Sequence, residues 1–201
     1  MFFDPAKIKE STPIRYVEFH PAIDSTNNRA KKLFGLPVER PFLILAAAQT
    51  AGRGRGAKTW WTGRGSLAAS VGLELPATTL KRTDLASLSP RVGRVVAELV
   101  AARIPDACRT EARLPNDVYV DGKKIAGILI ESPTPQQLIV GIGLNVNNRF
   151  ADSPPEFRQQ PIATLYDILG EELDLMEIAV ELLQRLFREM PANLIRKDAR
   201  L

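Results

Sequence analysis

Cysteine and histidine are almost absent from this chain of 201 residues, which has one of each. Cys108 has no second cysteine to pair with, so an internal disulfide framework is excluded. His20 alone does not make a histidine-rich metal site, and we predict no metal site built from protein side chains. This low use of cysteine fits a reducing cytoplasm, where we expect the protein to work.

The chain also lacks an apolar run long enough to cross a membrane. The opening Met-Phe-Phe-Asp-Pro is too short and too acidic for a signal peptide. The formal net charge of +4 is modest, and the glycine-rich segment at residues 49–65 contains four cationic side chains and no acidic one. That distribution favours a local anion-binding site over a basic track along nucleic acid.

What the chain does contain is a glycine-arginine segment at residues 49–65, which reads Q-T-A-G-R-G-R-G-A-K-T-W-W-T-G-R-G. Glycine lets the backbone come close to a ligand, and cationic side chains suit phosphate or carboxylate oxygens. The chain's two tryptophans, Trp60 and Trp61, add flat faces that can stack on a purine. The segment therefore predicts a site for a nucleotide or another anion. Its cations are Arg53, Arg55, Lys58 and Arg64.

Two plainer interpretations of the glycine-arginine segment stay open at this point. Glycine-arginine runs occur in disordered nucleic-acid-binding regions, and a basic loop can simply be solvated. We favour ligand binding because apolar strands are predicted on both sides, at residues 42–48 and 67–75. Tryptophans in such a loop also need cover from water.

The apolar pattern predicts further strands and three helices. The strands are expected at residues 14–19, 118–120, 124–131 and 138–147, and the helices at 24–34, 85–99 and 174–190. Asp121-Gly122 is a signal for a two-residue hairpin turn. The first helix begins at Asp24-Ser25-Thr26-Asn27, whose side-chain oxygens are expected to cap the free amides. Residues 1–13 are expected to form a loosely held arm.

Residues 138–147 alternate more sharply than the rest of the chain. The back face is apolar: Leu138, Val140, Ile142, Leu144 and Val146. The front face is small or polar: Ile139, Gly141, Gly143, Asn145 and Asn147. A strand with this pattern packs its back against the core and leaves a bare front. We interpret the front as the floor of a cleft; a sheet edge or a bulge would also account for the pattern.

Four ordered segments resemble the motifs of biotin protein ligases, the enzymes that attach biotin to a lysine of carboxylase carrier domains. They are D-S-T-N at 24–27, Q-x-A-G-R-G-R and a tryptophan at 49–60, P-N-D…K-x-A-G-I-L-x-E at 115–131, and G-I-G-x-N-x-N at 141–147. Each motif alone is weak, whereas four in order are specific. The resemblance spans about residues 14 to 190.

The resemblance implies an α+β fold with a mixed or antiparallel central sheet backed by helices, like the class II synthetases and the biotin and lipoate ligases. Residues 14–201 would form the catalytic domain, preceded by the arm at 1–13. Biotin's carboxylate would attack the α-phosphate of ATP, and a carrier lysine would then attack the biotinyl-5′-adenylate. ATP, Mg²⁺, biotin and a biotin carrier domain are the implied partners, and a homodimer is compatible with the sequence.

The resemblance also assigns roles to residues. Biotin's polar ring atoms would be contacted by Ser25, Thr26, Asn27 and Gln49. The biotin carboxylate and the phosphate would be enclosed by Arg53, Gly54 and Arg55. The nucleotide would be bound by Trp60, stacked near adenine, and by Asn116, Lys124 and Asn145. Arg113 and Arg55 would be catalytic, and Arg113 would also contact biotin.

Arg113 is the main departure from the family. It stands where K-W-P-N-D has a lysine that bridges biotin and phosphate, the family's principal catalytic residue. Arginine keeps the charge but is bulkier and planar. If it impairs the site, Arg113→Lys should raise adenylation. The second hypothesis is therefore a non-catalytic relative that binds biotin or its adenylate as a sensor.

The segments on either side of the motifs also bear on function. No room precedes Asp24 for the DNA-binding winged helix of the repressor-type members, so we expect no DNA partner. The chain stops at Leu201, where many members continue into a small β-barrel. A lipoate or octanoate transferase of related fold is a third hypothesis, which the glycine-arginine segment argues against, and an RNA-binding protein is a distant fourth.

Overall fold

Seven strands form a single sheet in the computed structural model, which describes residues 3–76, 82–158 and 161–190. The strands are β1 (Tyr16–His20), β2 (Phe42–Ala46), β3 (Leu67–Glu74), β4 (Thr110–Arg113), β5 (Asp117–Val120), β6 (Lys123–Glu131) and β7 (Gln137–Leu144). Their order is β1-β2-β3-β7-β6-β5-β4. β1 and β2 are parallel, and every other neighbouring pair is antiparallel. The predicted mixed sheet is confirmed.

Helices cover the two faces of this sheet unequally. The described helices are α1 (Pro5–Ser11), α2 (Thr26–Leu33), α3 (Arg82–Ala101), α4 (Leu165–Leu169) and α5 (Leu175–Glu189), with short 3-10 turns at Phe150–Asp152 and Pro155–Phe157. α3 and α5 pack on the back face, where the apolar side chains of β3 and β7 meet them in the main core. α2 covers only part of the front face, through a small cluster that includes Leu33, Phe42 and Ile139. The α+β class is therefore confirmed, and the rest of the front face stays open.

α1 corrects the expectation of a loosely held arm at residues 1–13. Asp4 caps this helix by accepting a hydrogen bond from the amide of Ala6 at 2.9 Å. Ile8 is fully buried in the main core, and Gln184 of α5 donates to the carbonyl of Ser11 at 3.1 Å. One buried apolar side chain among charged neighbours leaves no periodic signal, so the sequence pattern missed it. The domain boundary at residue 14 stays a prediction.

Several element ends differ from the sequence prediction. β4 was not anticipated, because its sequence T-E-A-R has no apolar alternation and it lies at the edge of the sheet. The strand expected at residues 138–147 ends at Leu144. Asp121 and Gly122 have φ values of 48° and 75°, which confirms the predicted hairpin turn. The side chain of Leu85 and residues 1–2 and 191–201 of the predicted ranges lie outside the described residues.

Glu18 of β1 ties the edge of the sheet to α2. Its carboxylate accepts hydrogen bonds from Nε and Nη2 of Arg29 at 2.7 and 2.8 Å. The Tyr16 hydroxyl donates at 2.9 Å, and His20 Nε2 lies at 3.0 Å. The bonds from Arg29, helped by His20 and Tyr16, outweigh the effect of burial and lower the pKa of Glu18 to about 2.

We expect Glu18→Gln to lower the free energy of unfolding at pH 7 by about 1–2 kcal/mol, between the values typical of exposed and buried ion pairs. The folded pKa of Glu18 lies below its ordinary value of 4.5, so this contribution is complete above that pH and is lost as the pH falls toward 2. Urea unfolding of wild type and variant at pH 7 and pH 3 measures the difference, which should shrink at the lower pH. The exposed Glu39→Gln is the matched control. Equal destabilisation at both pH values would contradict the assignment.

Candidate functional site

The part of the front face that α2 leaves open holds a cleft of about 890 Å³. Its walls are the N-terminus of α2, the glycine-arginine segment and the turn between β4 and β5, and its floor is formed by β6 and β7. All twelve residues predicted for the site line this cleft: Ser25, Thr26, Asn27, Gln49, Arg53, Gly54, Arg55, Trp60, Arg113, Asn116, Lys124 and Asn145. The fold thus brings four separate sequence motifs to one place.

Two glycines of β7 allow other groups to lie directly on the floor of the cleft. A Cβ at Gly141 would lie 2.2 Å from Oδ1 of Asn27, and one at Gly143 would lie 2.4 Å from the indole of Trp60. Real side chains do not make contacts this short, so any larger residue would displace α2 or Trp60. The predicted cleft floor is confirmed at these two positions.

The rest of the predicted front face serves the fold. Ile139 packs beneath α2 in the small front cluster. Asn147 does not line the cleft, because it exchanges hydrogen bonds of 2.8 and 2.9 Å with the backbone of Leu173. Asn145 does line it, but its amide donates to the carbonyl of Ala163 at 3.1 Å. The open floor is therefore shorter than the sequence pattern indicated.

A buried polar network holds the start of α2 against the glycine-arginine segment. The backbone amide and the hydroxyl of Thr26 both donate to Oε1 of Gln49, at 2.9 and 3.2 Å. Nε2 of Gln49 donates in turn to the hydroxyl of Thr62 at 2.9 Å. Ser25 is the N-cap residue but makes no side-chain capping bond, so the expected cap is wrong at this residue. Gln49 satisfies the free amide of Thr26 instead.

The glycine-arginine segment folds into a short ribbon. Arg53 and Thr59 form a bridge at its base, and the amide of Gly54 donates to the carbonyl of Lys58 at 2.8 Å. Residues 55–58 at the tip are exposed. The two arginines of the G-R-G-R motif therefore differ, since Arg53 sits at the fixed base and Arg55 at the exposed tip.

Glu131, the last residue of β6, is a site residue that the sequence prediction missed. Its carboxylate accepts hydrogen bonds from Nη2 of Arg53 at 2.5 Å, Nδ2 of Asn27 at 2.8 Å and Nζ of Lys31 at 2.7 Å. Burial raises the pKa of Glu131, but the three donors together outweigh it and lower the pKa below its ordinary value. Its place at the end of the K-x-A-G-I-L-x-E motif was the available signal.

Arg113 lies at the mouth of the cleft, at the end of β4. Its guanidinium carbon is 4.2 Å from the centroid of the Tyr119 ring, and it forms an ion pair with Glu111. The register of β4 and β5 places Glu111 directly opposite Tyr119, so all three side chains share one face. A planar guanidinium suits stacking and pairing at the same time, which an ammonium does not. The adjacent Leu114 is 76% exposed.

The far end of the cleft contains Trp60 and its neighbours. Nζ of Lys124 lies 2.8 Å from Oδ1 of Asp117 and 5.6 Å from the centroid of the Trp60 ring. Nδ2 of Asn116 donates to the carbonyl of Ile128 at 3.2 Å. The buried indole N–H of Trp60 has no hydrogen-bond partner among the described residues. This nitrogen lies against the floor of the cleft, 2.5 Å from where a Cβ at Gly143 would be.

Ser70 and Phe157 are two further residues that the sequence prediction missed. The Ser70 hydroxyl of β3 lies 2.7 Å from Oγ1 of Thr26 and 2.6 Å from Oδ1 of Asn27, so it completes the polar network. Phe157 lines the cleft, with its ring centroid 6.5 Å from that of Trp61. Ser70 lies in a strand that was predicted from its apolar pattern alone, and Phe157 lies in a polar stretch with no periodic pattern.

Two broader features concern the described residues as a whole. They contain no group of three or more histidine, cysteine, aspartate or glutamate side chains placed to hold a metal ion. No helix among them has both the length and the apolar content that a bilayer-spanning helix needs.

We expect Gly143→Ala to displace Trp60 and to lower the free energy of unfolding by about 1–3 kcal/mol, as overpacking does. Tryptophan emission and urea unfolding measure the two effects. Gly93→Ala in α3 is the matched control, because its Cβ would have its nearest neighbours at 3.8 and 3.9 Å. Alanine there should be neutral or stabilising. Unchanged emission and stability in Gly143→Ala would contradict the packing of Trp60 on the floor.

Similarity to known proteins covers the same residues that build the cleft. Residues 19–145 match the biotin/lipoate A/B protein ligase family. The biotin–[acetyl-CoA-carboxylase] ligase of Mycobacterium tuberculosis is 34% identical over 156 residues, which are 76% of this chain and 54% of that protein. The chain spans about half the length of the curated relatives that it matches.

Two solved structures have the same fold. The biotin protein ligase from Aquifex aeolicus in complex with biotin and ATP has a TM-score of 0.71 at 30% identity, over 88% of this chain and 70% of that chain. The biotin protein ligase from Leishmania major in complex with biotinyl-5-AMP has a TM-score of 0.68 at 26% identity, over 86% and 73%. The family match extends from before the D-S-T-N motif to Asn145. The chain therefore belongs to the biotin/lipoate A/B protein ligase family.

Proposed function

We propose that this chain carries out the ATP-dependent ligation of biotin to a lysine of a biotin carrier protein. Biotin's carboxylate attacks the α-phosphorus of ATP and displaces pyrophosphate, which gives biotinyl-5′-AMP. The carrier's lysine amine then attacks the acyl carbon and displaces AMP. The observation that carries the proposal is the convergence of twelve residues from four motifs in one cleft. The ligands named for the two similar structures, biotin with ATP and biotinyl-5-AMP, support it.

We place the biotin ring at the N-terminus of α2. A cyclic urea presents one carbonyl acceptor and two N–H donors, so its site needs both kinds of partner. Thr26, Asn27 and Gln49 supply hydroxyl and amide groups there, beside the buried Ser25. Their mutual hydrogen bonds hold these groups in place, which limits the ordering cost on binding. A dithiolane or an alkyl chain offers no partner for the hydrogen-bonding capacity that these groups still have, such as the second N–H of the Gln49 amide, which favours biotin over lipoate or octanoate.

The carboxylate and the α-phosphate would lie between the arginines. Arg53, Gly54 and Arg55 approach from the glycine-arginine segment, and Arg113 approaches from β4. Negative charge increases on the phosphoryl oxygens in the transition state, and cations already in position stabilise it most. The stacking and ion pair of Arg113 hold it in such a position, so we propose Arg113 and Arg55 as the catalytic cations.

The nucleotide would occupy the end of the cleft that contains Trp60 and Lys124. The indole offers a stacking face, and Lys124 supplies positive charge beside it. The amides of Asn116 and Asn145 already bond to the backbone, so they would shape the wall around the nucleotide. Mg²⁺ would enter with ATP, since it usually keeps waters and substrate phosphates as ligands.

The protein substrate we propose is the biotin carrier domain of a carboxylase. Its lysine must reach the mixed anhydride through the mouth of the cleft, where Arg113 and the exposed Leu114 lie. We propose the cytoplasm as the location. A homodimer stays a prediction from the sequence.

We expect the purified chain, given biotin, ATP, Mg²⁺ and a biotin carrier domain, to release pyrophosphate and to add biotin to the carrier. Pyrophosphate detection and mass spectrometry of the carrier measure the two steps separately. Arg113→Ala should lower pyrophosphate release by about 100-fold, as loss of a positioned charge does in other enzymes.

Three controls separate the rival functions in this assay. Biotin binding without pyrophosphate or modified carrier would contradict ligation and leave a biotin sensor. Octanoate and lipoate replace biotin in parallel reactions, and transfer of either in preference to biotin would place the chain among the lipoate and octanoate enzymes. A carrier domain with its lysine replaced by alanine should block the second step alone.

We expect Arg113→Lys to lower pyrophosphate release by roughly 3–10-fold, because lysine loses the planar stacking on Tyr119. This expectation is opposite to the increase in adenylation that would follow if arginine impaired the site. The matched control is Arg109→Lys, since Arg109 is exposed and does not line the cleft. Faster release by Arg113→Lys would show that the site has not adapted to arginine.

A further inference from the structure

The carboxylate of Glu131 joins two of the proposed ligand-binding residues to each other. Arg53 donates to Oε2 at 2.5 Å, and Asn27 donates to the same oxygen at 2.8 Å. Lys31 donates to the other oxygen, Oε1, at 2.7 Å. The Glu131 side chain is only 19% exposed, so these bonds lie largely out of solvent, where they are stronger.

Glu131 fixes the direction of the Arg53 guanidinium. The bridge to Thr59 holds the backbone of Arg53, and Glu131 holds its Nη2. The buried Nε of Arg53 has no hydrogen-bond partner among the described residues. Arg53 lines the cleft, so the direction of its guanidinium determines which of its donors a ligand there can meet. Without Glu131, a guanidinium on a rotamer-rich side chain would lose this orientation.

Glu131 also fixes which way the Asn27 amide faces. Nδ2 of Asn27 donates to Glu131 and to the carbonyl of Leu129 at 3.2 Å. Oδ1 therefore faces the Ser70 hydroxyl, at 2.6 Å. A carboxylate accepts only from the NH₂ side of the amide, so it excludes the flipped orientation.

We propose that Glu131 is a positioning residue that orients Arg53 and the Asn27 amide for biotin before biotin arrives. The inference rests on the proposed function, and it adds Glu131 to the residues that serve that function. Glu131 acts on binding more than on the rate of adenylation, because the oriented groups face the ring and the carboxylate, whereas Arg113 approaches from β4. Arg55, at the exposed tip of the ribbon, is outside its reach.

Lys31 offers a matched control within the same ion-pair cluster. It pairs with Oε1 of Glu131 and does not line the cleft. Lys31→Met therefore removes a bond to the carboxylate while Arg53 and Asn27 keep theirs. A role for Glu131 that is only structural would make Lys31→Met and Glu131→Gln act alike on biotin binding.

The test is calorimetric titration of biotin into wild type, Glu131→Gln, Lys31→Met, Arg53→Ala and the double variant Glu131→Gln/Arg53→Ala. Glu131→Gln should raise the Kd of biotin by about tenfold, a typical coupling between contacting charged groups. Lys31→Met should change it by less than about twofold, because Lys31 does not line the cleft and its side chain is 39% exposed. The double variant should bind biotin no more weakly than Arg53→Ala, apart from the loss of affinity that comes from a misoriented Asn27 amide. At saturating biotin, Glu131→Gln should keep the rate of pyrophosphate release within about threefold of wild type.

An unchanged Kd in Glu131→Gln, or additive losses in the double variant, would overturn the positioning role. Thermal unfolding checks that each variant folds. If Glu131→Gln does not fold, Glu131→Asp decides, because it keeps the charge but withdraws the carboxylate from Arg53 by one methylene. Wild type that binds no biotin would contradict the proposed function itself. If wild type binds biotin and Glu131→Asp binds it with the same Kd, only this inference is contradicted.

Discussion

The N-terminus of α2 and the indole of Trp60 rest directly on the backbone of β7, at the two positions where that strand has glycine. The other face of the same strand carries Leu138, Val140 and Leu144 into the main core. One strand is thus the centre of the hydrophobic core and the floor of the cleft. This dual use depends on the two-residue period of a strand, which separates the two faces completely.

The polar groups around the cleft are held by one another as well as by the backbone. Gln49 connects the start of α2 to the glycine-arginine segment, and Glu131 connects α2 to the base of the ribbon. Buried polar groups are costly unless they are paired, and paired groups in a low-dielectric setting are rigid. Thr26, Asn27, Gln49 and Arg53 of the cleft are therefore oriented by internal hydrogen bonds, while the tip of the ribbon carries Arg55 into solvent.

Arg113 is held by side chains of two neighbouring strands. It ends β4 at the edge of the sheet, and the adjacent strand β5 supplies the ring of Tyr119. Glu111 completes the arrangement from the same strand as Arg113. The cationic groups of the cleft consequently come from opposite walls, with Arg53 on one and Arg113 on the other.

Local sequence patterns determined β2, α5, the hairpin turn and the family with its twelve cleft residues, because periodicity, turn preference and motif order are properties of adjacent residues. Tertiary structure alone decided the rest. β4 is polar and became a strand only by pairing with β5, and Ile8 is buried because α1 packs against both β1 and α5. Glu131 and Ser70 reach Asn27 because β7 lies between β3 and β6, an order that no local pattern records. The reason is physical: periodicity states which face a side chain takes, whereas strand order and helix packing determine which side chains meet there.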